Sequence, residues 1–506
     1  MPGRLVLVLP FENRSGDSTL NWIGDSFPDT LNQRLNSSGF LTITRDDRQY
    51  ALDHLGLPID FKPTRATTIR IAQTLDADFV IVGSYSVSNN RIAVQARVLE
   101  VNRLRLSSPL EDSADLPRLF DVENAVAWKV ARQIDPKFPV AQQTFISASG
   151  GVTLSAFENY IRGIEATSSV DRIKRLQLAV NDAHDYSAAL LALGKAQYAA
   201  RQYDPAAATL AKVPPTDRLA LEASFYLGLA RFNSAKYADA QRAFDFVASR
   251  LPLPEVINNQ AVALSRQGKD AVPLFQRVTT SDPSDADYHF NLAVAQLRRG
   301  DPAAAQPEVE TALNLHPTDA EASELKSRIA AAIHLTGTPL TASITADGFD
   351  PQERIRRTFS EASFRQQAFL LDQVRAARMA TLPPAEQTAQ YTQLGYDYFN
   401  QGLVPEAERE FQAALSADNK SAAAHAGLAQ VRERSGSDDE ARSEAQSSLN
   451  LHPNVPAYMV LARLDLKKNN LTSAATDVNN ALKLDAKNGP ALGMKQHLIS
   501  LGQNVQ

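Results

Sequence analysis

The hydrophobic pattern changes period once along the chain. Over residues 4–135, short β-branched runs alternate with helical stripes. "RLVLVLP" predicts a buried strand. In "LNWIGDSFPDTLNQRLNSS", Ile23, Phe27, Leu31 and Leu35 recur at every fourth position and predict a helix with one apolar stripe. "FLTIT" predicts a short strand, "TTIRIAQTLDA" a helix and "DFVIVGSYSV" a strong strand. Asn89 and Asn90 signal a tight turn, after which Ile92, Val94, Ala96 and Val98 alternate inward. Asp78–Val101 is therefore predicted to be a hairpin with one covered face. "LFDVENAVAWKVARQI" predicts a closing helix. Beyond the small-residue stretch "SASGG" at 147–151, strand signals stop and Ala, Leu and Tyr take over at helical spacing.

The second regime repeats itself. In "YTQLGYDYFNQGLVPEAEREFQAALSADN", Tyr391, Leu394, Gly395 and Tyr398 are followed by Ala407, Phe411 and Ala414. The small anchor residue recurs at Ala206, Ala240, Ala271 and Ala305, then at Ala407, Ala441 and Ala474. Twelve residues before six of these anchors stands Gly194, Gly228, Ala293, Gly395, Ala429 or Ala462. Two antiparallel helices meet most closely at small residues, so the Gly or Ala of the first helix is expected to face the Ala of the second. Phe244, Phe275 and Phe411 are expected to fill the wedge between neighbours. Asp204-Pro205 and Asp301-Pro302 read as helix caps followed by a first helical position. No single repeat can bury its own face, so the stack is the folding unit.

These residues match the template of the tetratricopeptide repeat (TPR) with Tyr in place of Trp, and the array resembles that family. A degenerate repeat fits at 154–186, giving five repeats in 154–320 and a following helix near 320–333. Three more occupy 387–487, and "GPALGMKQHLISLG" resembles the solvating helix that caps such arrays. Residues 334–385 admit two readings: degenerate repeats kept in phase, since 407 − 305 = 102 = 3 × 34, or a helical insert joining two subarrays. "PQERIRRTFSEASFRQQAFLLDQVRAARM" reads as helical.

The N-terminal third carries a second resemblance. "LVLPFENRSGD", followed about sixty residues later by "LDADFVIVGSYSVSNNRIAVQARVLEV", resembles the TolB amino-terminal-like domains, related to the FlgO and CsgG type of module. The resemblance implies a non-catalytic α/β sandwich of bacterial envelope proteins and of extracytoplasmic parts of signalling proteins. The fold class expected is thus α+β multidomain, an N-terminal α/β sandwich followed by an all-α TPR superhelix. The expected divisions are the α/β domain at 1–140, a linker at 141–153, arrays at 154–333 and 386–488 around the insert at 334–385, and a capping helix and tail at 489–506. A domain that begins four residues into the chain leads us to expect a segment upstream of it.

Composition narrows the chemistry. The 506 residues carry a net charge of −5 with no basic block, which gives no case for nucleic acid. The absence of cysteine removes disulfides, thiolate nucleophiles and Cys-type zinc sites. No apolar run has the length of a membrane span. The phosphate-binding, nucleophile-elbow, zincin and EF-hand motifs are absent. The S-x-x-K at 323–326 stands without supporting motifs, and the Asp pairs at 46–47 and 438–439 lie where caps are needed. His316 and His452 each sit in "NLHP", 452 − 316 = 136 = 4 × 34 residues apart, and read as helix-end residues after Leu315 and Leu451 close the packing stripe. His289 and His425 occupy the large aromatic position of the repeat. Residues one repeat apart lie roughly 10 Å apart, too far to share a metal at about 2 Å. No enzyme activity, cofactor or metal is expected.

What remains is the concave face of the first helices. Family positions that line it carry over to Lys195, Tyr198, Phe225, Phe232, Asn233, Phe290 and Arg298, and in the second array to Tyr396, Phe399 and Asn400. The array lacks the basic and Asn set that clamps a C-terminal carboxylate, so an apolar-anchored peptide or helix is the expected partner. The expected function is a non-catalytic bacterial scaffold, extracytoplasmic by resemblance. The alternative is the sensory half of a larger kinase or cyclase whose effector lies outside this chain.

Overall fold

A computed structural model describes residues 5–57, 64–147, 152–333, 349–357, 374–375, 377–400 and 402–503. Two compact units divide the chain: Met1–Arg162 with Thr216–Arg218 and Arg365–Gln506, and Gly163–Pro215 with Leu219–Phe364.

The first unit contains a mixed sheet of β1 (Leu5–Val8), β2 (Glu12–Asn13), β3 (Leu41–Thr42), β4 (Phe79–Ser88), β5 (Arg91–Glu100), β6 (Arg105–Leu106) and β7 (Leu110–Asp115). Its order is β3-β1-β4-β5-β6, with β2 on β4 and β7 on β5. β1 runs parallel to β3 and β4, and β4 is antiparallel to β5. The hairpin forms because Asn89 and Asn90 both take positive φ, 50° and 58°, the turn whose twist matches that of the strands. Two helices, α1 (Trp22–Ser37) and α4 (Leu119–Ile134), pack on each other and on β1 and β5. A second pair, α2 (Arg45–His54) and α3 (Arg65–Thr74), buries Leu52 and Ile71 against Leu7, Val80 and Leu99. The motif residues are packing partners: Phe11 stacks on Phe27 at 4.0 Å, and a Cβ on Gly83 would meet the Phe11 ring at 2.3 Å.

Besides the two-residue β2 and β6, two of these elements escape the sequence pattern. β7 reads "LEDSAD", too polar for a strand signal, yet pairs with β5 from Leu110 to Asp115. Its exposed carboxylates suit an edge, where charge discourages further pairing. The helix α2 is capped by Thr44, whose hydroxyl accepts from Asp47 N at 3.1 Å. The stretch expected as a linker contains α5 (Gln142–Ser147), which buries Phe145 edge-on against Phe138. Residues 148–151 lie outside the described residues.

Helix α5 docks on the C-terminal helices of the same unit. Glu408, fully buried, accepts from Ala141 N at 3.0 Å, bonds to the Thr144 hydroxyl and pairs with Arg432 at 2.8 Å. Those helices run as pairs, Pro384–Asn400 with Val404–Ala417, Ala422–Arg434 with Asp438–Leu451, and Val455–Lys467 with Leu471–Leu484, followed by Gly489–Ser500. The close approach differs from expectation. Gly395 and Gly427 face the Phe411 ring, at 2.6 and 2.2 Å from an added Cβ, and not the anchor Ala407. Gly194 faces Leu210 and Gly228 faces Phe244 in the same way. Glycine there makes room for the large residue four positions after the anchor.

Helix α6 (Leu154–Glu165) sets Phe157 between Trp22 and Phe120. The second unit then contains α7 (Ser169–Asp182), α8 (Ser187–Ala199), α9 (Tyr203–Leu210), α10 (Ala220–Asn233), α11 (Tyr237–Ala248), α12 (Pro254–Ser265), α13 (Val272–Ser281), α14 (Ala286–Arg298), α15 (Pro302–Leu315) and α16 (Ala320–Ile333). Asp301 caps α15 through Ala304 N at 3.0 Å, as expected of an Asp-Pro start. Asp204 does not cap: it lies inside α9 and accepts from Lys236 at 2.8 Å. Residues 351–357, expected to be helical, contain no helix; 358–373 lie outside the described residues.

Candidate functional site

The first helices of the second unit carry polar groups where an apolar face would pack best. Asn258 and Asn259 on α12 and Asn291 on α14 are fully buried. Their partner is the chain itself. Asn291 donates to the Arg354 carbonyl at 2.8 Å and accepts from its N–H at 2.6 Å. Asn258 donates to the same carbonyl at 2.9 Å. Asn259 donates to the Arg356 carbonyl at 2.8 Å and accepts from its N–H at 2.7 Å. Alternate residues thus have both backbone groups bound on one side, the pattern of a β-ladder in which carboxamides replace one strand. This explains why 351–357 is extended: the groove supplies the hydrogen bonds that a helix would have supplied internally.

Side chains add a charge code. Arg354 lies over the Phe290 ring at 3.8 Å and pairs with Asp287 at 2.8 Å, Asp319 at 2.6 Å and Glu321 at 3.1 Å. Its hydrogen bond holds the Asp319 carboxyl below the usual carboxylate value. Arg356 lies over Tyr288 at 4.8 Å and pairs with Asp285 and with Asp287, the latter at 3.0 Å. The segment's acidic residue meets a basic partner. Both Glu353 oxygens are 2.8 Å from Arg298 Nη1, and Arg298 Nη2 donates to the Pro351 carbonyl at 2.8 Å. Ile355 inserts, half-buried, against the clusters that include Phe232.

Of the positions carried over from the sequence, Phe290 and Arg298 contact this segment, and Phe232 packs against the same core clusters as its Ile355. Tyr198 packs on Tyr203 and Tyr226, with the Arg357 charge acting on its hydroxyl. Lys195 pairs with Glu222 at 2.7 Å, and Asn233 bonds to Leu229 O and Tyr198. Phe225 offers no groove surface: it is fully buried, edge-on to Phe244. In the first unit, Tyr396 packs edge-on against Phe411 and donates to Ala423 O at 3.1 Å. Burial pushes its hydroxyl up to about 12. Asn400 is exposed. Phe399, with Arg434 over its ring at 5.4 Å, lines a cleft of about 440 Å³ with Gln430, Glu433 and Arg463. The three asparagines were missed by sequence reasoning, which looked for a carboxylate clamp. The signal was present as Asn in apolar first helices, with 291 − 258 = 33, close to one repeat.

His289 and His425 make matching structural contacts. His289 bonds to Glu308 at 2.7 Å and Pro283 O at 3.1 Å, and His425 bonds to Glu444 at 2.7 Å and Asn419 O at 3.2 Å. All three residues of each set are offset by 425 − 289 = 444 − 308 = 419 − 283 = 136. His316 and His452 follow the last residues of their helices. Leu315 and Leu451 before them are each 42% exposed and do not close a packing stripe. Among the described residues no group of His, Asp and Glu could hold a metal ion, and no helix is long and apolar enough to cross a membrane.

Models of the tetratricopeptide repeat match residues 188–214, 263–329 and 392–456. The chain is therefore an α+β protein that contains TPRs, a module that generally mediates protein–protein interaction. Similar solved structures include YrrB, described as a TPR protein with an unusual peptide-binding site, at 15% identity over 40% of this chain and 99% of that one, TM-score 0.30. A TPR protein from Parabacteroides merdae is 13% identical over 68% of this chain and 99% of its own, TM-score 0.24. The LpoB C-terminal domain from Escherichia coli is 24% identical over 22% of this chain and 83% of its own, TM-score 0.20. Among curated proteins, none matches the chain in sequence.

Proposed function

We propose that the protein is a non-catalytic adaptor that captures an extended segment of another protein in the α12–α14 groove. The observation that carries this reading is the paired binding of backbone N–H and C=O by Asn259 and Asn291. Carboxamides so placed read the main chain of an extended peptide; Arg298 and the Asp285–Asp287 wall read its charges. The N-terminal sheet we take to be a TolB-like module, and the scaffold to be bacterial and extracytoplasmic.

A displayed random-peptide library selected against the full chain tests the groove. With the chain's own segment disabled by Arg354→Glu and Arg356→Glu, selected peptides should lose about tenfold or more in affinity on Asn259→Ala with Asn291→Ala, since each lost pair of hydrogen bonds is worth roughly 1 kcal/mol or more. Phe399→Ala should leave binding unchanged. Equal affinity for the folded double variant would sink the reading.

A further inference from the structure

The occupant of the groove is the chain's own Asp350–Arg356. We propose that this segment is an autoinhibitory strap, and that the partner it excludes is an extended segment of the same chemistry, acidic–Arg–aliphatic–Arg. This rests on the reading of the groove as a peptide site.

Three observations favour an exchangeable ligand over a permanent core strand. First, among residues 351–357 only Pro351 and Glu353 are buried, and the single branched aliphatic side chain, Ile355, is half-buried. A core strand would be held by buried apolar groups; this one is held by its backbone and its charges. Second, the arginines stay partly in water, with side chains 23% and 29% exposed, so solvent screens part of their charge pairing even though Asp319 itself is buried. Third, the asparagines are bridged to each other. Asn291 donates to Asn258 at 2.8 Å, and Asn258 donates to Asn259 at 3.4 Å. That bridge satisfies part of the ladder when the strap leaves, which lowers the cost of an empty groove.

Tethering sets the energetics. A segment on the same chain competes at an effective concentration that reaches the millimolar range, so a free peptide of equal intrinsic affinity binds weakly until the strap is disabled. A partner protein prevails by adding contacts beyond the strap's length.

The probe is a fluorescent synthetic peptide of residues 349–357, titrated into the full chain. Arg354→Glu with Arg356→Glu in the chain sets the strap's charges against Asp287 and Asp319 while leaving the groove intact. This variant should bind the peptide about tenfold or more tighter than the wild type does. Adding Asn291→Ala should abolish the gain. A second readout needs no strap variant. Hydrogen exchange of the wild-type Arg354 and Arg356 amides, the donors to Asn291 and Asn259, should accelerate under saturating peptide. A peptide with Ala at both arginine positions should leave it unchanged. Unaltered exchange in the wild type, or equal affinity of wild type and folded strap variant, overturns the strap. If library-selected peptides still depend on Asn259 and Asn291 in that case, the groove reading survives.

Discussion

Asn291 and Glu123 are both polar groups buried at no measurable exposure, and they are satisfied differently. Asn291 is neutral and meets backbone. Glu123 lies between α1 and α4, bonded to the hydroxyls of Ser26 and of Thr30, the latter at 2.6 Å. Burial pushes its carboxyl up from 4.5 to about 8. Between those values the folded state holds a proton that the unfolded state has released, so stability falls as pH rises through the window. The slope is at most about 1.4 kcal/mol per pH unit. Glu123→Gln should remove it. The chain's two tryptophans, Trp22 and Trp128, both lie in this α/β region, so denaturant unfolding followed by their fluorescence reports on it. The variant should gain on wild type steadily from pH 5 to pH 8; parallel curves would remove Glu123 from the account. Neither residue's role was legible in the sequence. Glu123 sits in an otherwise regular helical stripe, and asparagine in an apolar helix acquires meaning only when its backbone partner, about 63 residues downstream, is known.

At the level of elements, periodicity served where apolar residues do the packing. It located β1, β4, β5, α1, α3 and α4, and the anchor alanines lie inside second helices except Ala271, which sits just before α13. It failed where polar backbone pairing decides, at β7, at α2 and in residues 351–357. It also misassigned the contact at the repeat glycines, because spacing tells which residues are small and not which neighbour uses the space. That contact is testable. Phe411 is fully buried, and a Cβ on Gly427 would lie 2.2 Å from its ring. Alanine gains about 1 kcal/mol over glycine within a helix, but overpacking of a filled core costs roughly 1–3 kcal/mol. Gly427→Ala should therefore lower the melting temperature. Phe411→Leu should be less harmful in that background than in wild type, because the smaller side chain relieves the clash. A double-mutant cycle by thermal denaturation gives the coupling, and additive effects would refute the wedge.

At the scale of the molecule, the repeat frame was the most legible feature, since seven anchors, in two runs with intervals of 31 to 34 residues, are visible without coordinates. The frame also carries a thermodynamic consequence. Each repeat is stabilised by its neighbours, so the last one depends on what covers it. Here Gly489–Ser500 places fully buried Ala491 and Leu498 over Met459, Ala474, Val478 and Ala481. Asn488 caps this helix through Ala491 N at 3.2 Å. Deleting residues 489–506 strips that cover. The exposed apolar face should promote self-association, and the loss of protection should be graded. Hydrogen exchange should accelerate most in Leu471–Leu484, less in Val455–Lys467, and least at the Gly395–Phe411 contact, because nearest-neighbour coupling decays along a stack. Uniform acceleration through all three C-terminal pairs would mean that they unfold as one cooperative block, and no acceleration would mean that the terminal helix carries none of the array's stability.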